Sequence, residues 1–135
     1  MAATLLLLAA LATAEPQTPD ASAEKSRETL FNSAVGCSAY HVYTVVTAVP
    51  ESEAEKLGQE KAVMFLLASY ATMPQDQPVE VEAKIEELVN GLLEDSMTIE
   101  PERHKSEIEQ LGQACALFEP RALAIIDEEG YNAEN

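Results

Sequence analysis

Apolar residues recur along the chain in four blocks whose spacing matches a helix better than a strand. In the first, from about Ala23 to Val49, Phe31, Val35, Val42, Val46 and Val49 fall at three-, four- and seven-residue steps and share one helix face. Its second half, His41 to Val49, is rich in Val, Thr and Tyr, a strand-like composition. The helical pattern of Ala34 to Tyr40 runs straight into it, which predicts helix throughout. The second block follows Pro50 and opens with Ser52-x-x-Glu55, a capping box. It carries Val63, Leu66, Leu67 and Tyr70, flanked by Met64, Ala68 and Ala71, and ends near Thr72. So broad a stripe predicts the most buried helix of the four.

The third block starts at Pro78, a residue suited to a first helical turn, with Glu80 and Glu82 near the positive end of the helix dipole. Val81, Ile85, Leu88, Val89, Leu92 and Leu93 form its apolar face, which fades by Ser96 to Thr98. The fourth begins near Pro101. Ile108, Leu111, Cys115 and Phe118 form its stripe, and Ala122, Ile125 and Ile126 extend it. Pro120 lacks an N–H and clashes with the carbonyl of Ala116, which predicts a kink or a separate short helix beyond it. Four amphipathic blocks with short joints predict an all-α fold, a small four-helix up-and-down bundle over residues 24–131. Residues 132–135 read as a disordered tail. Composition agrees: 135 residues allow one domain, and 47% apolar residues with only 5% aromatics favour helices rich in Ala, Leu and Glu.

The first 14 residues read as a signal peptide. Their apolar run, Leu5 to Leu8 and onward, is too short to span a bilayer, and Ala12-Thr13-Ala14 fits the small-x-small cleavage pattern. No Lys or Arg precedes the run, which points to a start further upstream or a lost basic beginning. Residues 15–23, EPQTPDASA, read as a flexible linker.

In an exported protein the two cysteines, Cys37 and Cys115, are expected to pair. They lie on the first and last helices, which neighbour each other in an antiparallel bundle. Ala34 and Ser38 sit one turn either side of Cys37, and Gly112 one turn before Cys115, so small residues let the helices approach. His41 lies one turn from Cys37 and gives the alternative reading, a metal or redox site of Cys37, His41 and Cys115. His41 is otherwise expected to pack at the edge of the first and last helices. With Tyr40 and Tyr43 it forms a candidate partner-facing or pH-sensing patch, unless the tyrosines anchor helix packing.

Charge narrows the functional classes. With 24 acidic and 8 basic residues the chain carries a net charge of −16, which repels nucleic-acid backbones and anionic headgroups and attracts basic partners. The acidic clusters lack the alternating Asp/Asn pattern and central Gly of a calcium loop. No Glu-x-x-His pair, phosphate loop or Gly-x-Ser-x-Gly elbow occurs. No enzyme activity, cofactor or metal is expected from these patterns, and no membrane insertion after signal removal. The outline resembles small periplasmic acid-stress chaperones and small periplasmic immunity proteins, both helical with a two-cysteine staple; the resemblance transfers no residue roles. Strong negative charge on a stapled domain without visible chemistry points to an exported, periplasmic binding protein that engages a protein partner as inhibitor, immunity factor or chaperone. A structural component of the cell envelope is the other alternative.

Overall fold

A computed structural model of the chain describes residues 19–74 and 79–129, with side chains from residue 26 onward. The signal peptide and the tail lie outside these residues, as do Pro78 and positions 15–18 of the linker. Among the described residues there are four helices and no strand: α1 (Pro19–Thr47), α2 (Glu53–Thr72), α3 (Val81–Thr98) and α4 (Pro101–Glu129). The strand-like composition of residues 41–47 therefore yields to the helix that precedes it, while Ala48 and Val49 lie beyond the helix end. α1 already starts at Pro19, within the segment read as linker.

Local chemistry sets most boundaries. Ser52 caps α2, its hydroxyl accepting from the Glu55 N–H at 3.2 Å. The reciprocal half of the box is displaced by one residue: the Glu55 carboxylate accepts from the N–H of Glu51, at 2.8 Å. Glu51 has a φ of 64°, a left-handed turn conformation that costs a non-glycine residue energy and reverses the chain in few residues. α3 begins at Val81, after the N-cap Glu80, three residues beyond the expected Pro78 start. α4 runs unbroken through Pro120, so the separate short helix does not form. Pro120 and Ala116 both lie on the exposed face, where water can take the freed carbonyl.

α1 and α2 form an antiparallel hairpin, and α1 touches all three other helices. Two cores lie on the two flanks of this hairpin. On one, Ala34 and Cys37 of α1 and Phe65 and Ala68 of α2 meet Cys115, Ala122 and Ile126 of α4. On the other, Phe31, Val35 and Ala39 of α1 meet Val81, Ile85 and Val89 of α3, with Leu66 and Tyr70 of α2 packed alongside. α3 rests chiefly on α1 and meets α2 and α4 only sparingly.

The expected faces of α3 and α4 are largely the observed ones, although Leu88 is exposed. Those of α1 and α2 need correction. Val46 and Val49 are 56% and 73% exposed and Val63 is 55% exposed, whereas Phe65 is fully buried. The hairpin seam is built from small and hydroxylic residues instead: Ala34, Ser38 and Ala39 on α1, and Gly58, Ala68, Ser69, Ala71 and Thr72 on α2. A Cβ on Gly58 would lie 2.8 Å from both Thr44 Oγ1 and Val45 Cγ2, so the helices cross closely there. The buried hydroxyls are satisfied. Ser38 donates to the Ala62 carbonyl across the seam at 2.9 Å, and Ser69 and Thr72 donate back to Phe65 and Ala68 at 2.8 Å each.

Candidate functional site

Cys37 and Cys115 form a disulfide with their Cα atoms 5.5 Å apart, joining the middle of α1 to the middle of α4. Of the small residues expected to permit this approach, Ala34 is buried in the same core as the two cysteines, whereas Ser38 faces the α2 seam and the opposite flank. Gly112 lies under the Tyr40 ring, whose hydroxyl would sit 2.5 Å from a Cβ there. With both sulfurs bonded, neither is free to ligate a metal or act as a nucleophile while the bond stands. Of the three-residue metal or redox set, only His41 keeps an available donor.

His41 is half-buried beside the disulfide. Its ring stacks on Phe65 at 5.5 Å between centroids and meets Tyr40 edge-on at 4.8 Å. Phe65 in turn stacks on Phe118 at 6.0 Å. The Lys61–Glu119 ion pair, 2.5 Å, ties α2 to α4 alongside. Burial holds the His41 pKa below its ordinary value of 6.5; Lys61 pushes it the same way and Glu119 opposes. The neutral ring is thus favoured in the folded state.

The two tyrosines pack between helices. Tyr43 is buried, and its hydroxyl lies 2.9 Å from Nε2 of His104 in the first turns of α4. Tyr40 is half-buried over Gly112. His104 thus belongs to the α1–α4 joint, about a helix third away from the disulfide along α4.

A feature that the apolar periodicity did not single out lies on the other flank. Between α3 and the hairpin is a groove of about 350 Å³. Val42 of α1, Leu66 of α2, and Ile85 and Val89 of α3 floor it, with Val63 at its edge. Ser38 also lines it, but its hydroxyl is committed to the Ala62 carbonyl and offers the groove no free donor proton. Glu82 and Glu86, one turn apart on α3, are the charged residues among the described lining; their stems form one edge and their carboxylates stand exposed at its mouth. The Tyr70 hydroxyl donates to the Glu82 carboxylate from the end of α2. That bond holds the Glu82 pKa below the usual carboxylate range, helped by the residue's own backbone N–H, and raises that of Tyr70. Val63 in a helix otherwise read as core, and two glutamates flanking Ile85, were the available signals. The groove itself follows from how α3 is set against the hairpin, which spacing along one helix does not encode.

Comparison with protein-family models, with curated proteins and with solved structures finds no match. No described helix is long and apolar enough to cross a membrane.

Proposed function

We propose that the chain is an exported, periplasmic binding protein that engages a basic protein partner as an inhibitor, immunity factor or chaperone. The observation that carries this reading is the surplus of carboxylates on a cross-linked scaffold. The net charge is −16, and the ion pairs among the described residues engage only Glu107, Glu119 and Glu128. A surface of this kind steers basic proteins toward it and loses that attraction as salt screens the field. Export is supported by the leader-like residues 1–14 and by the Cys37–Cys115 bond, which persists in oxidising compartments.

Immobilised, oxidised protein exposed to an envelope extract tests the proposal. The expected result is retention of a basic protein at low salt and its release at high salt, with the same salt dependence when the two purified proteins are titrated. The absence of any salt-sensitive protein partner would overturn it. Mass spectrometry of the protein from its source cells checks export: the expected species begins at Glu15 and keeps the Cys37–Cys115 crosslink.

A further inference from the structure

We infer that the groove between α3 and the α1–α2 hairpin is a binding site for a small cationic amphiphile, a molecule with one alkyl or aryl body and one ammonium or guanidinium head. The volume, about 350 Å³, falls at the lower end of the range of small-ligand pockets, about 300 to 1,000 Å³. The body must be apolar. Val42, Leu66, Ile85 and Val89 offer it no hydrogen-bonding group, and the Ser38 hydroxyl proton is already bonded within the protein. A polar body would lose its hydration there and gain nothing in return.

The head must be a cation. Glu82 and Glu86 stand on the same edge of the groove with their carboxylates exposed at its mouth, and among the described residues no Lys, Arg or His lines it. The hydroxyl of Tyr70 donates to Glu82 and so favours its charged form. An anionic amphiphile would set its head against two carboxylates.

Length separates a small ligand from a docked peptide helix. α1 contributes residues 38 to 42 and α2 residues 62 to 66, each about 6 Å of helix at 1.5 Å per residue. A docked amphipathic helix uses anchors from i to i+7, which span about 10 Å. Two of the three walls are too short for that. The inference is independent of the basic-protein reading, whose partner is recognised by the whole charged surface.

Octylammonium, octanol and octanoate, each below its aggregation threshold, test the site by amide chemical-shift titration of the oxidised protein. Octylammonium should bind with a dissociation constant on the order of a millimolar, and about tenfold or more tighter than octanoate. Its shifts should centre on Val42, Leu66, Ile85 and Val89. The variant E82Q/E86Q should lose most of the preference for the cation, while E94Q/E109Q, which removes the same charge elsewhere, should keep it. Thermal melts of both variants confirm that they remain folded. Three outcomes would overturn the inference: equal binding of octanoate, equal loss in both variants, or shifts centred outside the groove. Binding of a basic amphipathic peptide in the groove without binding of octylammonium would do so as well.

Discussion

On one flank of the α1–α2 hairpin, α4 is joined by a disulfide, a stack of His41, Phe65 and Phe118, and the Lys61–Glu119 ion pair. On the other, the aliphatic stripe of α3 packs on Phe31, Val35 and Ala39 and is tied by the Tyr70–Glu82 hydrogen bond, with an open groove beside it. The two flanks share the same central helix, so their difference lies in what each outer helix brings. α4 supplies Cys115, Phe118 and Glu119 within five residues, three distinct ties over little more than one turn. α3 supplies Val81, Ile85 and Val89 on one stripe and carboxylates on either side of it. A helix fixed only by a stripe can pack well along its length and still leave a gap at its border with the next helix. The α4 flank reads as the rigid part of the molecule, and the α3 flank as the part shaped to receive something.

The contrast predicts unequal costs for equal damage. Phe65→Ala should be the most disruptive change, costing about 3 to 5 kcal/mol, because it empties a fully buried site between two stacked rings. Ile85→Ala on the opposite flank should cost about 2 kcal/mol, since the adjoining groove lets its neighbours relax. Urea denaturation of the two variants compares them, and equal losses would erase the distinction. Replacing Cys37 and Cys115 together by Ser should cost about 2 to 4 kcal/mol, read as a lower melting temperature.

The hairpin between the flanks has its own pair of tests. Gly58→Ala should destabilise by about 1 to 2 kcal/mol, because the added methyl meets the β-branched Thr44 and Val45 at 2.8 Å. Gly36→Ala should instead stabilise by about 0.5 to 1 kcal/mol, as its position in α1 is open and alanine loses less backbone freedom. A destabilised Gly36→Ala protein would contradict the assigned seam.

The smallest expected effect comes from His41. Its folded pKa lies below 6.5, so the unfolded chain binds the proton more readily. Its contribution to stability is therefore complete above the unfolded pKa and is lost as pH falls from about 6.5 through the lowered folded value. Melting temperatures between pH 7.5 and pH 5 should fall less steeply in His41→Gln than in the parent protein.

The outer helices were the legible ones. α3 and α4 each carry large aliphatic residues on one side and charges on the other, so Val81, Ile85, Cys115 and Ile125 stand out by spacing alone. α1 and α2 misled because they pack through small residues. A reading weighted by hydrophobicity passes over Gly58, Ser69 and Thr72 and settles on Val46, Val49 and Val63, which face outward. Residues 62–68 of α2 are apolar at every position, so their spacing does not fix which side is buried. The disulfide was legible from its flanking small residues. His104 beside Tyr43, Arg27 and the groove were not, because each depends on a contact between helices. Arg27, for example, donates to the carbonyls of Ala71 and Met73 at the C-terminal end of α2, at 2.7 and 3.4 Å, a pairing 44 and 46 residues away in sequence.

Amide hydrogen exchange, followed residue by residue in the oxidised and the reduced protein, tests the unequal flanks most directly. In the oxidised protein, amides of α3 from Ile85 to Leu93 should open at lower free energy than those of α4 from Cys115 to Ile125. Reduction should narrow that gap by loosening α4 and leaving α3 nearly unchanged. Equal protection of α3 and α4 with the disulfide intact, or a gap that reduction does not alter, would contradict the account.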